Sequence, residues 1–388
     1  MKSKLINRQI QIMNSNYKQI LSPFTFPVSG IQVDNRIVLA PMTTYSGNDD
    51  GTTTDAEVAY YKLRNESAGL LISACAYVQK HGKGFNAQIG ADTDEMIPSL
   101  QRIAEALKEN GGKAVLQIYH GGRMSPSDVL PDGQSVSASA VAAERPGAQL
   151  PREMTEAEIL ETIQAFGEAT RRAIAAGFDG VEIHGANTYL LQQFFSPHSN
   201  RRTDNWGGDL NKRMNFPLAV VDAVKQAVEL ANRPFMVGYR ISPEEIENPG
   251  ITIEDTMSLV QALALKKLDF LHVSTPDFWT FSIRDKEDTR VRAQLISSKV
   301  GTVLPIIGVG GVHTPEDAEK ILSTGIPLVA MGRELLMDPL WLKKVKNNTV
   351  DQIITELDLD AQDFLKIPSP LWAGLVSRPG WMPLKCKK

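Results

Sequence analysis

The 388-residue chain contains only two cysteines, Cys75 and Cys386, and it has no excess of basic side chains. Two distant thiols form neither a disulfide framework nor a CxxC metal or redox motif, so we predict no metal site. Cys75 lies in an apolar run and is expected to be an ordinary buried residue. The net charge of -4 at pH 7 argues against nucleic acid as a partner.

Long hydrophobic runs are also missing. No apolar stretch reaches the roughly 20 residues that cross a bilayer, and the start of the chain lacks the apolar core of a signal peptide. These absences lead us to expect a cytoplasmic protein that contacts neither a membrane nor nucleic acid. A small molecule is therefore the expected partner.

The length fits either two or three domains of roughly 150 residues or one large barrel. Short β-branched runs alternate with longer segments of helical period, which indicates repeated βα units around a parallel sheet. Thr155 and Glu158 form a capping box, and Gly177 stands where that helix must end. Eight strands, each followed by helical sequence, favour a (β/α)8 TIM barrel over an open doubly wound sheet. The predicted strands are Arg36–Pro41, Gly69–Val78, Lys113–Tyr119, Gly180–His184, Phe235–Ile241, Asp269–Ser274, Pro305–Gly308 and Leu328–Met331.

We predict one domain over residues 1–388, with the barrel at about 22–350. An insertion after the third strand, about 121–152, has no helical period; at the C-terminal face such a loop is expected to act as a lid. The tail, about 353–388, is rich in Trp and Pro and should dock on its own barrel or on a neighbouring subunit. A homo-oligomer is therefore left open.

The strongest candidate site follows the fourth predicted strand, where His184, Asn187 and Tyr189 lie within six positions. If a helix begins near Ala186, the first two side chains converge and donate hydrogen bonds to one carbonyl oxygen, which stabilises developing negative charge. The Tyr189 phenol could then supply a proton. Ordinary packing and capping are the alternative interpretation.

Other strand ends carry further donors and small residues. A planar, hydrogen-bonding cofactor needs such a distribution, with a cation near any ring that becomes anionic. Glycines after the seventh and eighth strands suit a phosphate, the usual ligand of that region in such barrels. The residues concerned are Thr43, Tyr45, Gln117, His120 and Arg240 at the ring end, and Gly308, Gly310, Gly311, Gly332 and Arg333 at the phosphate end.

Five stretches resemble the old yellow enzyme family of FMN-dependent, NAD(P)H-oxidising ene-reductases, which includes NADPH dehydrogenases and NADH:flavin oxidoreductases. They occur in order and span nearly the whole barrel. They are NRIVLAPM at Asn35–Met42, LQIYHGGR at Leu116–Arg123, GFDGVEIHGAN at Gly177–Asn187, SPHSNRRTDNWGG at Ser196–Gly208 and MGRELLMDP at Met331–Pro339.

The resemblance implies a tightly but non-covalently bound FMN and NAD(P)H as a transient hydride donor. His184 and Asn187 match the pair that grips the substrate carbonyl oxygen, Tyr189 the proton donor and Tyr45 a substrate-pocket residue. Many shorter bacterial relatives have Cys where this chain has Thr43 and His where it has Asn187, which leaves the substrate open. The positions that match flavin-binding residues are Ala40, Pro41, Met42, Thr43, Ala74, Gln117, Arg240, Gly311, Gly332 and Arg333.

The expected reaction is reduction of the C=C bond of an α,β-unsaturated carbonyl compound by a ping-pong mechanism. Two alternatives remain. A dihydroorotate-type or dienoyl-CoA-type FMN dehydrogenase would share the phosphate end, although the latter needs a cysteine-ligated iron–sulfur cluster that two cysteines cannot supply. A non-enzymatic flavin-binding protein is the other. Whether the loop Pro276–Arg292 caps the substrate, and whether Arg378 reaches a neighbouring site, are left open.

Overall fold

The computed structural model describes residues 16–385. Cys386 lies outside the described residues. So do residues 1–15, most of the N-terminal segment for which the sequence predicts no signal peptide. Eight parallel strands close into a barrel in chain order, and the last pairs with the first. All eight predicted strands are present, which confirms the (β/α)8 fold. They are β3 (Ile37–Leu39), β4 (Leu70–Tyr77), β5 (Lys113–Tyr119), β8 (Gly180–Gly185), β9 (Met236–Ile241), β10 (Phe270–Val273), β11 (Ile306–Val309) and β12 (Leu328–Met331).

Alternate residues along these strands serve two cores. Ile72, Met236 and Phe270 belong to a cluster inside the barrel, whereas their neighbours in sequence pack outward against the helices. The two-stranded hairpin of β1 (Phe24–Thr25) and β2 (Gln32–Val33) adds apolar side chains to the inner cluster. These residues fill the barrel below its C-terminal end, which is where a ligand site remains available.

The helices follow the predicted alternation. The capping box at Thr155 is present, because its side chain accepts from the Glu158 N–H while the Glu158 carboxylate accepts from the Thr155 N–H at 2.7 Å. In the described part of the chain no helix is both long enough and apolar enough to cross a membrane. The helices are Lys18–Leu21, Asp55–Arg64, Ile97–Lys108, Glu156–Ala175, Leu190–Phe195, Leu210–Glu229, Ile253–Leu265, Arg292–Val300, Pro315–Leu322, Arg333–Met337, Trp341–Lys346, Gln362–Leu365 and Ser369–Ser377.

The insertion after β5 contains two 3₁₀ turns, Gly122–Met124 and Ser127–Val129, and one short strand pair, β6 (Val136–Ser137) with β7 (Arg152–Glu153). Buried arginines hold it in place. Arg123 Nη1 donates to the Val141 and Ala142 carbonyls within the insertion, and Arg202 Nη1, from the segment after β8, donates to the Ala138 and Met154 carbonyls. The insertion is thus an ordered layer, and its role as a lid stays a prediction.

The tail packs on its own barrel, the first of the two dockings expected. Leu371 and Leu375 are buried, and Arg64 Nη1 donates to the Leu365 carbonyl at 3.1 Å. Arg333 Nη1 donates to the Trp381 carbonyl at 3.3 Å, which brings the tail to the phosphate end of the predicted site. Arg378 lies over the Trp381 ring of the same chain, 5.7 Å from its centroid.

Candidate active site

His184 ends the inner face of β8 and is buried. Its Nδ1 accepts the Ala186 N–H at 3.3 Å, so the proton of the neutral ring must sit on Nε2. Burial, reinforced by the charge of Arg240, lowers the pKa of His184 well below its usual value. At neutral pH the side chain is therefore an uncharged hydrogen-bond donor.

Asn187 follows in a left-handed turn, with φ of 55°, and the helix begins only at Leu190 rather than near Ala186 as expected. Two serines fix this residue. Its Oδ1 accepts from Ser274 Oγ at 2.9 Å, and its main-chain N–H donates to Ser242 Oγ at 2.9 Å. The side-chain oxygen is thus occupied, which leaves Nδ2 to donate.

Tyr189 lies in an aromatic cluster. Its ring centroid is 4.5 Å from that of Tyr119, 4.9 Å from that of His184 and 6.2 Å from that of Phe85. Tyr45 joins the cluster through Phe85, with 5.4 Å between ring centroids. Burial raises the pKa of Tyr189, so its phenol keeps its proton at neutral pH. The structure therefore places a neutral imidazole against a protonated phenol, whereas the Asn187 amide bonds to Ser274 after β10.

Gln117 and Arg240 lie inside the barrel and present complementary groups. Gln117 Nε2 donates to Glu182 Oε1 at 2.6 Å, and no described residue donates to Gln117 Oε1. Arg240 Nε is buried and has no hydrogen-bond partner among the described residues. A free acceptor and a free donor together fit a ring edge that carries an N–H beside carbonyl oxygens.

The loop after β3 runs along the same end of the barrel. The Ala40 N–H donates to the Met331 carbonyl at 3.0 Å, and Pro41, Met42 and Thr43 are half-buried. A Cβ on Gly332 would lie 3.1 Å from Met42 Sδ, so this loop contacts the start of the helix after β12. The first and eighth βα connections are thus in contact, as the predicted cofactor site requires.

Cys75 lies against the predicted site, although its apolar surroundings in the sequence predict only an ordinary buried residue. Its Sγ accepts from Gln88 Nε2 at 3.4 Å and lies against the Thr43 side chain, in a cluster with Tyr119 and Tyr189. Burial raises the pKa of the thiol to about 12, so it stays protonated. Ala74, expected beside the cofactor, donates its N–H to Tyr61 Oη instead.

A register irregularity between Ile72 and Cys75 explains the difference. Strict alternation from Leu70 and Ile72 would place Ala74 inside the barrel, whereas the extra residue moves Cys75 to that face. No feature of the sequence marks the irregularity. The role of Ala74 at the cofactor stays a prediction.

His120 does not join the group. Its Nδ1 accepts the Gly122 N–H at 3.1 Å, and its ring lines a separate cavity of about 140 Å³ together with Arg152 and Glu158. The strand-end position was therefore insufficient to place this side chain at the barrel mouth.

The phosphate end is built from backbone. Gly310 and Gly311 have φ of 97° and 69°, and a Cβ on Gly311 would lie 1.9 Å from Asp277 Oδ2. Only glycine allows this approach. The Asp277 carboxyl lies beside the expected phosphate position, and its Oδ1 accepts the Trp279 N–H at 2.8 Å. Arg333 is the cation that follows Gly332 at this end.

Glu334 is a second residue at this end that no sequence pattern singled out. It is buried, and neither carboxyl oxygen has a hydrogen-bond partner in the described structure. Burial, followed by the nearby charges of Asp338 and Asp317, raises its pKa to about 8. The side chain is therefore mainly an uncharged acid at neutral pH, with half-exposed His313 Nδ1 at 3.5 Å from one oxygen.

Comparisons with known proteins agree with this geometry. The family model of the NADH:flavin oxidoreductase / NADH oxidase family matches residues 19–352. A probable NADH-dependent flavin oxidoreductase, YqiG of Bacillus subtilis (strain 168), is 48% identical over 374 residues, which cover 96% of this chain and 100% of the relative. The NADH:acrylate oxidoreductase of Vibrio harveyi is 46% identical over 89% of this chain, which spans only 34% of that enzyme.

Among solved structures, morphinone reductase in complex with tetrahydroNAD is similar, with a TM-score of 0.73 and 28% identity over 85% of this chain and 91% of that chain. The free acceptor of Gln117 and the free donor of Arg240 fit the pyrimidine edge of FMN. Gly311 and Arg333 fit its phosphate, although the Asp277 carboxyl also lies beside Gly311. The chain belongs to the NADH:flavin oxidoreductase / NADH oxidase family, as an FMN-dependent NAD(P)H oxidoreductase of the old yellow enzyme type.

Proposed function

We propose that this enzyme reduces the C=C bond of α,β-unsaturated carbonyl compounds with electrons from NAD(P)H, at one site that both substrates occupy in turn. The observation that carries the proposal is the contact between the neutral His184 ring and the protonated Tyr189 phenol after β8, with 4.9 Å between the ring centroids. Bound FMN would supply the hydride acceptor and donor. Gln117, Arg240, Gly311, Gly332 and Arg333 would hold it, with Ala40, Pro41, Met42, Thr43 and Ala74 against the ring.

His184 and Asn187 act on the carbonyl oxygen. His184 Nε2–H and Asn187 Nδ2–H each donate to this oxygen, and the negative charge that develops there during reduction is stabilised by both. Because His184 is uncharged, it donates without protonating the oxygen outright. Ser274 keeps the amide turned so that nitrogen, not oxygen, faces the substrate.

Tyr189 completes the addition. Its Oη–H would donate a proton to the substrate α-carbon, while bound FMN would supply hydride to the β-carbon. The raised pKa of Tyr189 keeps that proton in place until the carbanion-like carbon develops. Tyr45 and Phe85 form the apolar wall beside it, with 5.4 Å between their ring centroids.

Initial-rate kinetics with NADH and cyclohexenone test the shared site. Parallel double-reciprocal lines are expected, and intersecting lines would contradict alternate occupancy. Acrylate belongs in the same assay, because a relative that contains a similar segment is an NADH:acrylate oxidoreductase.

Variants separate the two half-reactions in anaerobic stopped-flow measurements. Tyr189→Phe should slow oxidation of the reduced flavin by cyclohexenone and leave its reduction by NADH nearly unchanged. Replacing His184 and Asn187 together should cost about a hundredfold or more in the same step. Equal loss in both half-reactions for Tyr189→Phe would remove it as the proton donor.

A further inference from the structure

Four polar side chains from four adjacent strands meet inside the barrel, beneath the proposed ring site. They are Gln117 on β5, Glu182 on β8, Arg240 on β9 and His272 on β10. The residues on either side of each belong to the outer core, so all four point inward. Glu182 and His272 are fully buried, and the mechanism proposed above uses neither.

Glu182 has a hydrogen bond on each oxygen. Oε1 accepts from Gln117 Nε2 at 2.6 Å, and Oε2 lies 2.8 Å from His272 Nδ1. Burial raises the pKa of Glu182, but His272, Arg240 and the bond from Gln117 outweigh burial and hold the pKa below its usual range. Burial lowers the pKa of His272, so its ring is neutral and donates through Nδ1. The carboxylate is therefore charged and accepts both bonds.

This arrangement determines which polar groups face the proposed ring site. Because an ionised carboxylate can only accept hydrogen bonds, Gln117 must donate its Nε2–H to Glu182, which leaves Gln117 Oε1 as an acceptor toward the ring site. The same carboxylate is close enough to Arg240 to affect its pKa, so a negative charge opposes the field of the guanidinium. Both effects act on whatever binds against Gln117 Oε1 and Arg240 Nε.

We propose that Glu182 is a positioning residue of the flavin site, which holds Gln117 in its acceptor orientation and lowers the reduction potential of bound FMN. The inference rests on the part of the proposed function that sets the pyrimidine edge of FMN against Gln117 and Arg240. Hydride transfer adds two electrons and one proton to the neutral ring, so the reduced ring carries one negative charge. Arg240 favours that charge and Glu182 disfavours it.

Glu182→Gln should make reduction of the bound flavin more favourable. The substitution removes the opposing charge and keeps the side-chain volume. A ten- to hundredfold larger equilibrium constant for reduction is expected, which corresponds to a rise of about 30 to 60 mV for a two-electron couple. The midpoint potential of the purified flavin-bound protein is measured by equilibration with a reference dye, without any enone.

Glu245→Gln is the matched control. Glu245 is also buried and also accepts from a glutamine, Gln192 Nε2 at 2.7 Å, but it lies in the loop after β9 and packs on the helix Leu190–Phe195. Its potential should stay at the wild-type value. An unchanged or lower potential in Glu182→Gln, or an equal rise in both variants, would overturn the proposal.

Two further variants keep the test decisive if Glu182→Gln fails to fold. Glu182→Asp keeps the charge and should keep a potential close to that of the wild type. His272→Phe removes a donor that helps to keep the carboxylate ionised, so the pKa of Glu182 should rise, its negative charge should fall and the potential should rise; no change or a lower potential would again overturn the proposal. Since no enone is present, failure of enone reduction by the wild type is a separate outcome.

Discussion

The ring end and the phosphate end of this site each contain a buried glutamate, and the two differ in every other respect. Glu182 accepts hydrogen bonds on both oxygens, and its pKa is lowered, whereas neither oxygen of Glu334 has a partner among the described residues and its pKa is raised to about 8. Burial is common to both, so the partners decide the charge state. The ring end is held by hydrogen bonds between side chains, whereas the phosphate end is formed by glycine backbone beside a mainly uncharged acid.

The largest expected effect comes from breaking the ring-end network. Glu182→Ala leaves the His272 and Gln117 donors unpaired inside the barrel and should destabilise the apoprotein by about 2–6 kcal/mol, since each buried donor left unpaired costs about 1–3 kcal/mol. Urea unfolding monitored by circular dichroism measures this cost. Glu334→Gln, the counterpart at the other end, should not destabilise, and an equal loss in both variants would contradict the contrast.

A smaller effect is expected from the backbone of the phosphate end. Gly311→Ala forces an L side chain to φ of 69° and pushes against Asp277, so it should cost about 2 kcal/mol and weaken FMN binding. Gly325→Ala is the control, since φ there is 93° but an added Cβ meets no atom within 4 Å. Fluorescence titration with FMN should show weaker binding only for Gly311→Ala. Similar affinities would remove Gly311 from the phosphate site.

The sequence predicts the fold and several residues of the site better than it predicts the hydrogen-bond partners and local geometry of those residues. Eight β-branched runs separated by capped helices leave little choice of architecture, and the strand-end rule collected His184, Gln117 and Arg240. The rule failed for His120, whose Nδ1 is bound within its own loop, and it did not reveal the irregularity in β4 that turns Cys75 into the barrel.

Long-range partners were beyond prediction for a different reason. Glu182 and Glu334 both lie in stretches that identified the family, yet their charge states depend on residues from other strands and loops. Glu182 lies 90 positions from His272 in the chain, and only barrel closure brings them together. For Glu182, the available signal is a charged residue between apolar neighbours in a strand. This signal predicts that the side chain is buried, but it does not identify the residue that pairs with it.

Glu334→Gln sharpens the comparison through pH. The pKa of Glu334 is raised in the folded protein, so the unfolded chain releases this proton first and stability falls as pH rises from about 4.5 to about 8. Glutamine removes that loss. The variant should match the wild type near pH 4.5 and be more stable by about 1–2 kcal/mol at pH 8, after an allowance for solvent around half-exposed His313. Urea unfolding across pH measures the difference, and a pH-independent difference would mean that Glu334 is ionised throughout.

The smallest expected effect, on kcat/KM, comes from removing a single hydrogen bond to the Asn187 amide. Ser274→Ala removes the nearer of two hydroxyls that donate to Asn187 Oδ1; Ser242 Oγ remains at 3.5 Å from that oxygen and still accepts the main-chain N–H. Losing one hydrogen bond of about 1 kcal/mol should lower kcat/KM for cyclohexenone about fivefold and leave flavin reduction by NADH unchanged. Ser258→Ala, at a surface hydroxyl that bonds only within its own helix, is the control and should change neither rate. If Ser274→Ala slowed both half-reactions equally, the serine would support the loop as a whole, and Asn187 would not owe its orientation to this hydrogen bond.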